Sequence, residues 1–110
     1  MAWLLREGEV LATLELAGSL RDRVRGLAGR DRYEGALLLR PARSVHTLGM
    51  RFPIDVALCD ADLVVIEALC LRPFRVTRPR LGVSCILEAP AGAFERWRLH
   101  PGDKLEIAGV

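Results

Sequence analysis

Asp55-Val56-Ala57-Leu58-Cys59-Asp60-Ala61-Asp62-Leu63-Val64-Val65-Ile66-Glu67-Ala68-Leu69-Cys70-Leu71 consists of two largely apolar, strand-length runs joined by the small residues Asp60-Ala61-Asp62. Runs of this kind are too short for stable helices, and β-branched residues favour the pleated surface of a sheet. The Asp-Ala-Asp joint supplies turn residues that can bond their own backbone, so 55–71 reads as an antiparallel hairpin. A sheet is therefore the frame of the fold.

Working back from this hairpin, the chain passes through Ser44-Val45-His46-Thr47-Leu48-Gly49-Met50-Arg51-Phe52-Pro53-Ile54. Gly49 and Pro53 break any regular pattern there, and polar side chains of several chemistries fall close together. Further back, 36–40 is an apolar run stopped by Pro41, which fits a buried strand. Residues 3–7 and 9–16 flank Gly8, and the second run mostly alternates apolar with polar residues, so they form a second hairpin. Between them, Ser19 can cap a helix over 19–28, with Leu20, Val24 and Leu27 at helical spacing.

Working forward, 72–80 holds Pro73 and Pro79 and reads as a loop. Residues 83–88 form another apolar strand stopped by Pro90. Residues 91–97 can make a turn or two of helix, and 104–107 closes the chain as a strand after the Pro101-Gly102-Asp103 turn. The 110 residues form a single domain, 1–110. The expected fold class is α+β and β-rich: a mainly antiparallel, curved sheet or partly closed barrel with one or two short helices.

Composition narrows function mainly by exclusion. Apolar residues at 51% and charged residues at 27% are those of a folded globule, so disorder is not expected. The N-terminus meets Arg6 and Glu7 too soon for a signal core, and no run is long enough to span a membrane. Cys59, Cys70 and Cys85 lie in aliphatic runs and are expected to be buried and reduced; the expected location is the cytoplasm. No metal-ligand spacing exists, and Gly26-Leu27-Ala28-Gly29 lacks the lysine of a phosphate loop, so neither a metal nor a cofactor is expected.

Three segments, in order, carry a family resemblance. They are Arg25-Gly26-Leu27 with Arg30 ahead of Gly35-Ala36-Leu37-Leu38, then 46–56 running into Leu63-Val64-Val65-Ile66, then Leu87-Glu88-Ala89-Pro90-Ala91-Gly92 followed by Gly102-Asp103. Together they resemble the small bacterial and archaeal family called domain of unknown function one hundred and ninety-two. The resemblance implies a β-rich single domain and assigns no catalytic residue. Many members carry Trp-Met where this chain has His46-Thr47, and Asn-Thr where it has Gly49-Met50, so this is a histidine form.

The ligand-binding candidates are His46, Thr47, Met50, Asp55 and Glu88, facing a groove between 46–55 and 88–92. The first reading is a small non-catalytic binding or accessory domain, its partner a small ligand or a protein. A second is an acid/base enzyme using His46 with Asp55 or Glu88, since a histidine beside a carboxylate titrates near neutrality. A third is an anionic-partner binder through Arg72, Arg75, Arg78 and Arg80, which flank Phe74. Nucleic acid is not favoured, because the net charge is only +2. Glu88 has a structural reading as well: a buried carboxylate at a strand end needs a partner such as an arginine.

Overall fold

The computed structural model of the chain describes residues 2–17, 35–48 and 50–109. Among the described residues the strands are β1 (Ala2–Arg6), β2 (Glu9–Ala17), β3 (Ala36–Leu39), β4 (Ile54–Cys59), β5 (Val65–Leu71), β6 (Cys85–Pro90) and β7 (Glu106–Ala108), and the helix is α1 (Ala93–Trp97). The strands form one sheet in the order β5-β4-β6-β3-β2-β1-β7. The expected helix over 19–28 and the resemblance segment around Arg25-Gly26-Leu27 lie outside the described residues.

The local reasons are visible. At the first hairpin Glu7 (φ 52) and Gly8 (φ 78) are both left-handed, which suits a two-residue loop between twisted strands, and Arg6 pairs with Glu9. At the second, the Asp60 carboxylate accepts from the amides of Asp62 at 2.8 Å and Val64 at 3.0 Å, so the side chain builds the turn.

The sheet is mixed rather than purely antiparallel, because β2 and β3 run parallel while the other pairings are antiparallel. It is also open, which corrects the expectation of a partly closed barrel: β5 and β7 remain edge strands. The curvature does bring one end of each edge together. Val65 donates to Asp103 O at 2.8 Å, Gly102 to Val65 O at 2.7 Å and Leu105 to Leu63 O at 2.9 Å. Those bonds stop at Val65, and the rest of β5 diverges from the closing segment.

Strands β3, β4 and β6 are buried almost throughout, as central strands covered on both faces must be. Alternation divides their side chains between two cores. Ala36, Leu38, Ala57, Cys59, Cys85, Leu87 and Ala89 join Phe94, Leu99 and Leu105 in the first core. Leu37, Leu39, Ile54, Val56, Leu58 and Ile86 join Val45, Met50 and Val83 in the second. Among the described residues no helix is long and apolar enough to cross a membrane.

Gly35, just ahead of β3, has φ +86, and a Cβ there would stand 2.9 Å from the Thr13 carbonyl oxygen. Gly35→Ala is therefore expected to cost about 2 kcal/mol or more in urea melts. An unchanged midpoint would show that β2 and β3 do not pack as tightly as described.

Candidate functional site

Asp55 occupies a position on β4 where its neighbours Ile54 and Val56 belong to the second core, so its side chain points to the first. There it meets the start of α1. Asp55 Oδ2 accepts from the amides of Gly92 and Phe94, both at 3.0 Å. The N-cap residue, Gly92, makes no side-chain bond of its own, so a carboxylate on the neighbouring strand satisfies amides that the helix cannot.

Beside this contact is an open groove of about 630 Å³, lined by Asp55, Cys70, Gly92, Glu95, Arg98 and His100 over an apolar floor that includes Ala68, Phe94 and Leu99. Cys70 is directly opposite Asp55 in the β4–β5 register. Burial pushes its thiol pKa up, and the neighbouring Asp55 charge pushes it the same way. The far wall is held from β1: Arg6 donates to Trp97 O at 2.6 Å and Arg98 O at 3.2 Å and pairs with Asp103 at 3.0 Å. Asp103 in turn accepts from the His100 amide at 2.9 Å.

Of the sequence candidates, Asp55 lines this groove, and Gly92 at the end of the 88–92 turn joins it. His46, Thr47, Met50 and Glu88 are not among its lining residues. Glu88 pairs with Val56 and Leu37 in register, so it faces the second core, on the opposite side of the sheet from Asp55, and is 1% exposed. The two carboxylates therefore cannot flank one histidine.

Thr47, fully buried, has a different task. Its hydroxyl donates to Arg72 O at 2.6 Å and accepts from the Arg75 amide at 2.7 Å. The Thr47 amide donates to Arg75 O at 2.7 Å, and the Phe74 amide donates to Thr47 O at 3.0 Å. Val45 and Thr77 exchange further bonds, and His46 bridges Val76. Thr47 thus fixes the arginine loop, Met50 is buried below it, and the His46 ring accepts from the Leu48 amide at 3.3 Å.

The groove residues that sequence reasoning missed are Cys70, Glu95, Arg98 and His100. A signal existed for His100, which precedes the Pro101-Gly102 turn, but its distance in sequence from His46 hid it. Cys70 also corrects an expectation: it is exposed, because β5 is an edge strand bordering the groove, while Cys59 and Cys85 are buried. Cys59 and Cys85 face each other across β4 and β6, and hydrogen bonding to Cys85 together with burial pushes the Cys59 thiol pKa up. Among the described residues no cluster of three or more His, Cys, Asp or Glu side chains could hold a metal ion.

The sequence model of the DUF192 family, described as an uncharacterized ACR, matches residues 3–107. A UPF0127 protein of Pyrococcus horikoshii is 31% identical over 91% of this chain and 88% of its own length. One from Pyrococcus furiosus is 36% identical over 57% of this chain, and the match spans only 54% of that relative. Among solved structures, a Sinorhizobium meliloti protein described as a candidate transcription regulator superposes with a TM-score of 0.81. It is 25% identical, over 99% of this chain and 93% of its own.

Two outcomes follow from this geometry. Asp55→Ala is expected to lower stability by about 1.5–3 kcal/mol, the worth of charge-assisted bonds, and Asp55→Asn, which keeps an acceptor, by clearly less. Equal, negligible losses in urea would remove Asp55 as the anchor. With its pKa raised, Cys70 carries less thiolate at pH 8 than a free cysteine, so iodoacetamide should modify it slowly and Asp55→Asn should speed the reaction. A rate unchanged by that substitution would contradict the Asp55–Cys70 contact.

Proposed function

The chain belongs to the DUF192 family, a family of unknown function, and from that premise we propose that it is a small non-catalytic binding domain whose ligand takes the groove beside Asp55. One observation carries this reading: the groove combines an apolar floor with Glu95, Arg98 and His100 on its wall, the mixture that fixes and orients a small polar molecule. Arg98 offers a planar donor fork to a carboxylate or phosphate, and Glu95 an acceptor to a cationic group. Asp55 contributes from behind, holding the helix start in place.

Catalysis is the weaker reading on this geometry. The raised pKa keeps Cys70 protonated rather than a ready thiolate nucleophile. Of the two carboxylates in the acid/base alternative, Glu88 faces the second core and Asp55 is engaged on α1.

Amide chemical-shift mapping, with free amino acids, dicarboxylates and nucleoside monophosphates as probes, tests the proposal. Saturable shifts are expected from one of these classes, confined to residues 68–70 and 92–100 and abolished by Arg98→Ala. The absence of saturable binding by any of them, or shifts centred elsewhere, would overturn it.

A further inference from the structure

The mild net charge conceals a strong segregation. Stretches 35–54 and 68–87 contain seven arginines and no Asp or Glu, and the other nine basic residues share the remaining chain with all fourteen acidic ones. The first two stretches are thus formally +7 and the rest −5. The fold then sets the basic stretches side by side, through the bonds of Val45 and Thr47 to 72–77 and a bond from the Ala42 amide to Ser84 O at 3.0 Å. Arg40, Arg43, Arg51, Arg72, Arg75, Arg78 and Arg80 are all exposed. On this face Arg80 pairs with Glu67.

The same face carries apolar side chains that water should not be left to solvate. Leu48 is 49% exposed, Phe74 67%, Val76 66% and Leu81 89%. Three of the four stand at turns: Leu48 in 47–50, Phe74 in a left-handed conformation (φ 62), and Leu81 beside Gly82. They protrude, where a ligand pocket would recess them. Thr47 and Thr77 hold the loop backbone from below, so the arrangement is built rather than left to chance.

We infer that this face docks on an anionic phospholipid surface, the arginines meeting headgroup phosphates while Leu48, Phe74 and Leu81 enter the interfacial layer. A bilayer surface accepts positive charge and protruding apolar tips together without any matching shape. A single-stranded nucleic acid would take the arginines and stack on Phe74, but it offers little to the three aliphatic side chains.

Co-sedimentation of the full chain with vesicles decides the matter. The chain should pellet with equimolar phosphatidylcholine and phosphatidylglycerol but not with phosphatidylcholine alone, and added salt should weaken the binding. Arg75→Gln and Arg78→Gln should each lower the partition coefficient about fivefold. The pair Phe74→Ser and Leu81→Ser should lower it on the same vesicles, whereas Arg96→Gln, outside the face, should leave it unchanged. These side chains are exposed, and an unaltered urea midpoint verifies that each variant is folded. The inference is overturned if the chain ignores the anionic vesicles, if the serine pair binds them as well as the parent, or if a uridine oligonucleotide displaces the chain from them.

Discussion

A buried carboxylate is tolerable only where something satisfies it, and Asp55 is satisfied by two amides at the start of α1. That contact joins β4, an interior strand, to the 92–105 segment, whose far end is stitched to the beginning of β5. The groove is the gap left between these two attachments. Its floor and one wall are sheet, its other wall is helix and turn, and Asp55 sets their separation at the point where they meet.

On the other face Thr47 does the corresponding work with a neutral side chain. It is buried, and its hydroxyl both donates and accepts, so it satisfies backbone groups of a loop that has little secondary structure to do so. On one face a carboxylate thus ties β4 to the start of α1, and on the other Thr47 ties the segment before β4 to the arginine loop. The two ties sit in neighbouring parts of the sequence, because the chain passes from one face to the central strand between Thr47 and Asp55.

Much of the fold was legible because its signals are local. The Asp60 turn, the Gly8 hairpin and the proline stops at Pro41 and Pro90 mark strand limits within a residue or two of those observed. Mixed topology was not legible, since nothing in 9–17 or 36–39 says that those strands run parallel. Of the groove's lining, the sequence named Asp55 but not Cys70 beside it. Proximity along the chain suggested His46 and Glu88, whereas strand alternation sends Glu88 to the opposite face and register brings Cys70 alongside. Arg98 and His100 reach the groove through pairings some ninety residues apart, with Arg6 as the link, and no short-range pattern encodes that. The charge segregation was present in the sequence throughout, but only the bonds between 45–47 and 72–77 turn two arginine-bearing stretches into one face.

The central claim is that each face has its own buried polar tie, independent of the other. Amide hydrogen exchange in Asp55→Ala, measured beside the parent chain, tests it most directly. The account predicts that the Gly92 and Phe94 amides lose their protection while the Thr47, Phe74 and Arg75 amides keep theirs. Unchanged protection at Gly92 and Phe94, or a loss shared equally by both segments, would contradict it.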